Sequence, residues 1–110
     1  MKIYQTICED ALASHDRDAF VSDCALSSAF GGDPTQERIE MVGAIYDAMH
    51  RSVRDIASAA GMSHRKLAER FLIPYRTMES WCGGQRSCND YTRIMMQQIL
   101  GLMPTPEQLR

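Results

Sequence analysis

Glycine and proline punctuation sets a ceiling on the length of every element in this chain. Gly31-Gly32, Gly61, Pro74, Gly83-Gly84, Gly101, Pro104 and Pro106 cut its 110 residues into short stretches. Within those stretches apolar residues recur at the helical period, and no credible strand, internal repeat or low-complexity segment is present. The chain is therefore expected to be all-α, a compact bundle of about six to seven helices of roughly ten residues each. Helices that short are marginal alone and must pack on one another.

Taken in order, the first helix is expected over Tyr4 to about Ala13, with Ile3, Ile7, Ala11, Tyr4 and Cys8 sharing a face. A second runs from Arg17 to Phe30 with Phe20, Val21, Cys24, Ala25, Ser28 and Ala29 at helical spacing, and Gly31-Gly32 stops it. Asp33 is the expected cap of a third, with Pro34 in its first turn and Gln36 completing a capping-box-like pattern. Its apolar side, Ile39, Met41, Val42, Ile45, Ala48 and Met49, should be largely buried. Ser52 opens a fourth helix whose inner face is Val53, Ile56, Ala57 and Ala60, and Gly61 ends it. Asn89 and Asp90 open a last helix to Leu100, with Tyr91, Ile94, Met95, Gln98 and Ile99 grading from inner face to edge. The tail from Met103 is expected to fray.

Between these lies Ser63 to Arg86, SHRKLAERFLIPYRTMESWCGGQR. Ser63 can cap a helix through its hydroxyl, and Leu67, Ala68 and Phe71 form one apolar stripe behind it. Ile73 precedes a proline and is biased to extended geometry, so that helix should stop near Leu72. Pro74 suits the first turn of a second helix, and Gly83-Gly84 ends it. Met78, Trp81 and Cys82 then point one way, and Tyr75, Arg76, Glu79 and Ser80 the other. The first turn after Ser63 carries His64, Arg65 and Lys66, each charge costing about 0.3–1 kcal/mol where the helix dipole favours acids. A phosphate beside that end would reverse the sign; a solvated charged turn is the plainer alternative.

These residues resemble the lambda-repressor-like (Cro/repressor, Xre-type) helix-turn-helix family, over about residues 53–100. Ala68 stands for the alanine within that family's second helix, Ile73 for the apolar turn residue, and Met78 for the core residue of the third helix. Trp81 closes that helix, and Gly84 with Arg86 matches the glycine and basic residue that end the loop. Two positions depart. Leu72 stands where the family usually has glycine, and leucine costs about 1–2 kcal/mol in a left-handed conformation, so a differently shaped turn is expected. Pro74 replaces the usual Ser or Thr cap.

The resemblance implies double-stranded DNA as the partner, with the helix at about Pro74 to Cys82 in the major groove. Side chains near the start of such a helix reach base edges. Arg76 suits a bidentate contact to guanine, Tyr75 a thymine methyl or a phosphate, and Ser80 either base type. Glu79 can accept from cytosine N4 or pair with Arg76 at i,i+3. His64, Arg65, Thr77, Gln85 and Arg86 are the expected phosphate contacts. On an isolated helix Arg76 would be a solvated surface residue; Arg65, Lys66 and Arg86 around it favour a reading role. Trp81 and Met78 are core residues, and His15 and His50 ordinary surface or helix-end ones.

Charge is divided unevenly along the chain. The overall balance is −2, which on its own argues against nucleic acid. Residues 1–50 hold three Lys/Arg against nine Asp/Glu, whereas residues 51–93 hold eight against four. The basic half is the half with the motif. A division into an acidic helical extension at 1–50, a DNA-binding domain at 51–103 and a tail at 104–110 follows. The acidic part would serve dimerisation, since operators are read as paired half-sites, or would hold a partner protein as in an antitoxin that represses its own operon. A bacterial or phage-type transcriptional regulator is the function this implies, with a protein-binding helix-turn-helix module as the alternative.

Other classes find little support. Cys8, Cys24, Cys82 and Cys88 contain no CxxC pair, and the spacing of the last two lacks the second pair of ligands a structural zinc needs. Reduced thiols are expected, with a Cys82–Cys88 link as the alternative. No G-x-S-x-G, framed Cys–His or HExxH pattern points to catalysis, and no cofactor or metal is expected. No run of 18 apolar residues and no signal-peptide pattern is present, so a soluble cytoplasmic protein that avoids membranes is expected.

Overall fold

The computed structural model describes residues 4–26 and 35–109. Among the described residues seven α-helices form, α1 Tyr4–Ala13, α2 Arg17–Leu26, α3 Gln36–Met49, α4 Val53–Ala60, α5 His64–Arg70, α6 Tyr75–Cys82 and α7 Asp90–Ile99, with a 3-10 turn at Pro106–Leu109. Among the described residues there is no strand, so the chain is all-α. It divides into two compact units, one of residues 1–50 with 103–110 and one of residues 51–102. Ile3, Ser28, Ala29, Gly31, Gly32, Asp33 and Pro34 lie outside the described residues, as do the side chain of Ala25 and the expected end of the second helix at Phe30.

In the first unit α3 is the spine. It packs against both α1 and α2, and Val42, Ile45, Ala48 and Met49 are buried with Ile7, Cys8, Ala11, Phe20 and Cys24. Arg17 crosses from α2 to α3, where its Nε donates to Asp47 Oδ1 at 2.9 Å and the carboxylate holds the guanidinium pKa above its usual value. A β-carbon on Gly43 would meet that guanidinium at 2.5 Å, so a larger residue there would displace the Arg17 side chain. Tyr46 donates to the Ser14 carbonyl at 3.2 Å and stacks on His50, whose Nε2 lies 2.8 Å from the Ala11 carbonyl oxygen.

Three expectations for this unit are corrected. α3 is capped by Thr35, not Asp33: the Thr35 hydroxyl accepts from the Arg38 N–H at 3.1 Å, and its extended backbone places it there. Gln36 instead donates to Glu40. The apolar side of α3 is narrower than its composition implies, for Ile39 is exposed and Met41 only half-buried. The tail does not fray at Met103. That side chain is buried, and the Tyr4 hydroxyl donates to the Pro104 carbonyl.

The second unit closes around Val53, Ile56, Ala57, Leu67, Ala68, Met78 and Met96, with Phe71, Ile73, Trp81 and Leu100 packed against them. Ser52, Ser63 and Asn89 cap α4, α5 and α7, their side-chain oxygens accepting from Asp55, Lys66 and Thr92 N–H groups. Capping of this kind satisfies donors that a short helix otherwise leaves open. Arg51 ties the unit's two ends together, donating to Gln97 Oε1 and to the Leu102 carbonyl, both at 3.1 Å. Arg93 in turn donates to the Arg51 carbonyl at 2.6 Å.

The turns and α7 bring further corrections. The turn after α5 keeps its left-handed residue: Leu72 takes φ 56° where a different shape was expected. Its backbone bonds and the packing of Ile73 outweigh the local steric cost. Pro74 sits at the N-cap of α6, φ −56° and ψ 134°, one place before the first helical turn. On α7 the buried residues are Met96 and Gln97, while Tyr91, Met95 and Ile99 are 79%, 59% and 54% exposed. The helix is rotated from the face its most apolar residues define, and the buried Gln97 is satisfied by a donor from Arg51.

Candidate nucleic-acid interface

Two short helices and the loop that follows them carry every sequence-selected site residue. α5 and α6 pack on each other and both on α4, so Met78, Leu67 and Ala68 face inward and fix which sides remain outside. On α6, Arg76 and Glu79 are exposed, and Thr77 and Ser80 are half-buried. No ion pair joins Arg76 to Glu79 among the described residues. Arg76 is thus left to solvent, and the pairing reading of Glu79 falls away.

Tyr75 is placed differently from its neighbours. It is half-buried, packs against the core of the unit, and holds its ring 4.2 Å beneath the Arg65 guanidinium carbon. The expected outward face of α6 is therefore led by Arg76, with Tyr75 turned toward α5. Beyond α6, Gln85 and Arg86 are exposed. The Arg86 N–H donates to the Ser80 carbonyl at 3.3 Å, which folds this loop back over the end of the helix. At Gly83 a β-carbon would lie a tight 3.1 Å from the Glu79 carbonyl oxygen and would displace the Gln85 side chain.

At the other end of α6 an open cavity of about 430 Å³ is bordered by Arg54, Ser58, Met62, His64, Arg65 and Tyr75. It brings together three of the selected residues, His64, Arg65 and Tyr75. The others, Arg76, Thr77, Glu79, Ser80, Gln85 and Arg86, lie outside it. Arg54 is the residue sequence reasoning missed. It stands one turn before Ser58 on the outer side of α4, and the excess of basic residues after position 50 was the signal that pointed to it. Burial pushes the Cys82 thiol pKa up, with the Arg54 charge acting in the opposite direction.

The basic residues of this unit fall into two groups. Arg51 and Arg93 are turned to the protein's own backbone and side chains. Arg54, Arg65, Lys66, Arg70, Arg76 and Arg86 are exposed, and none of the six side chains makes an ion pair among the described residues. Uncompensated cations on one unit create a positive potential available to an anionic partner.

The described residues contain no group of three or more His, Cys, Asp and Glu that could hold a metal ion. All four cysteines are free thiols. No helix among the described residues is long and apolar enough to cross a membrane. No family model matches the chain, and no curated protein or solved structure matches it significantly.

Proposed function

We propose that residues 51–102 are a helix-turn-helix unit of the lambda-repressor-like type that binds double-stranded DNA, with α6 lying in the major groove. The observation that carries this reading is the set of six exposed basic side chains on α4, α5, α6 and the loop after α6, none of which makes an ion pair among the described residues. Arg76 then reads a base, with Ser80 and Glu79 further along the helix. Arg54, His64, Arg65, Thr77, Gln85 and Arg86 meet phosphates, a division that positions with one set and discriminates with the other. A repressor-like transcriptional regulator acting as a homodimer is the function proposed. The uncharged, exposed line Tyr91, Met95 and Ile99 on α7 supports the dimer, since two copies can meet there without like-charge repulsion.

The same apolar line would also serve an antitoxin-type module whose main partner is a protein. Selection from random duplex DNA, followed by a salt titration of the enriched site, separates the two readings. The expected result is an enriched site with two related halves about one helical turn apart, whose affinity falls steeply with salt as counterions are released. Absence of any enriched sequence, together with salt-independent binding, overturns the proposal.

A further inference from the structure

Arg65 and Tyr75 belong to different helices, yet the guanidinium of one lies over the ring of the other at 4.2 Å from its centroid. A cation within about 6 Å of a ring face is attracted by the ring's quadrupole. The ring is anchored, because Tyr75 is half-buried against the core of its unit and starts α6 immediately after Pro74. The cation is not otherwise held: Arg65 is exposed and its side chain has no ion pair among the described residues. A phenyl ring occupies none of the five N–H donors as a conventional hydrogen-bond acceptor would, so the guanidinium keeps donors for another partner. Both residues border the open cavity that Arg54 and His64 share.

We propose that Tyr75 is a positioning residue, which holds Arg65 in place for a backbone phosphate at this cavity, instead of reading a base itself. The inference rests on the DNA-binding reading above. It gives α6 two tasks: its first residue sets the phosphate contact made by α5, and its second, Arg76, faces the bases. Because the plate and the cation sit on separate helices, the contact forms only when α5 and α6 are correctly packed. Phosphate binding at this point therefore reports on the angle of the reading helix.

The test is a double-mutant cycle on the full chain and its selected duplex, with Tyr75→Phe, Tyr75→Leu, Arg65→Gln and the Arg65→Gln/Tyr75→Leu pair. Tyr75→Phe keeps the ring and should bind like the parent. Tyr75→Leu should weaken binding by about two- to fivefold, the scale of one exposed cation–π contact, and Arg65→Gln, which removes the phosphate contact itself, by at least as much. Neither should alter base preference, and Tyr75→Leu should add little in the Arg65→Gln background. In the free protein, the Arg65 δ-methylene protons should show an upfield ring-current shift that Tyr75→Phe keeps and Tyr75→Leu abolishes. Additive losses, an equal loss in Tyr75→Phe, a changed base preference, or a missing upfield shift each overturn the positioning role. A parent chain that shows the upfield shift but binds no duplex overturns the DNA-binding reading, and the phosphate role with it.

Discussion

Leu72 donates its backbone N–H to the Glu69 carbonyl at 3.3 Å while its own φ stands at 56°. Ile73 follows with a 2.9 Å bond to the Ala68 carbonyl. The same pair of bonds closes α4 around Gly61 and α7 around Gly101, the arrangement known as a Schellman motif. Of these three left-handed positions only residue 72 carries a side chain, and that side chain is 92% exposed. Leu72→Gly should remove a steric cost of about 1–2 kcal/mol against about 0.4–1 kcal/mol of added unfolded-chain entropy. A net gain of about 0.5–1 kcal/mol in urea denaturation is expected. A loss would mean that the leucine is covered in solution.

Arg51 is the fastener of residues 51–102, with one guanidinium nitrogen serving both Gln97 and the Leu102 carbonyl. Gln97 is fully buried, and removing a donor to a buried acceptor costs about 1–3 kcal/mol. Arg51→Ala should lower unfolding stability by that amount. Arg54→Ala, an exposed cation three residues away without an ion pair, should stay within about 0.5 kcal/mol of the parent. Equal stability of the two variants would contradict the role given to Arg51.

Much of this was legible because it is local. Ser52, Ser63 and Asn89 announce their helices by a side-chain oxygen just ahead of an apolar run, and each makes the cap bond it promises. What was hidden depends on partners far along the chain. Nothing in the local pattern marks the polar Gln97 as buried until Arg51 supplies a donor 46 residues away. Met103 and Pro104 look like a loose tail until Tyr4 reaches them. Thr35 was masked by the stronger pattern of Asp33-Pro34 beside it. In the candidate site, Arg76 and Arg86 were readable as exposed cations. Tyr75 was placed on the wet face by period alone, which cannot show that Arg65 from the preceding helix lies over its ring.

Arg76 and Arg86 should fail in different ways. Arg76 is exposed near the start of α6, so Arg76→Ala should relax preference at one base position of the selected site, a loss of about 1–3 kcal/mol in discrimination. Arg86 lies on the loop beyond the helix, so Arg86→Ala should weaken all duplexes alike and reduce the salt slope by about one. Unchanged base preference in the first, or an unchanged slope in the second, would remove that residue from its proposed role.

Cys8 links the first unit to pH. Burial pushes its thiol pKa up, with the Glu9 charge acting in the same direction and the Tyr4 hydrogen bond against it. A thiol whose folded pKa is raised binds its proton more tightly in the folded state. Its contribution is therefore complete below the unfolded pKa, about 8.5, and is lost as pH rises through the folded value. Stability should decline on the alkaline side above about pH 8.5, and Cys8→Ala should flatten that decline. Denaturation curves at neutral and alkaline pH check this; an equal alkaline slope in the variant would assign the decline to other groups.

The α7 line tests the assembly. Tyr91, Met95 and Ile99 recur at intervals of four and share one exposed face. If two copies meet there, Met95→Asp places an unpaired charge in the contact, which costs several kcal/mol when buried. The dimer dissociation constant should then rise by at least about tenfold, since each 1.4 kcal/mol is a factor of ten. Sedimentation equilibrium reads this directly, and affinity for the paired half-sites should fall while that for an isolated half-site stays the same. A parent chain that remains monomeric, or a variant that assembles as the parent does, would place the dimer contact elsewhere or remove it.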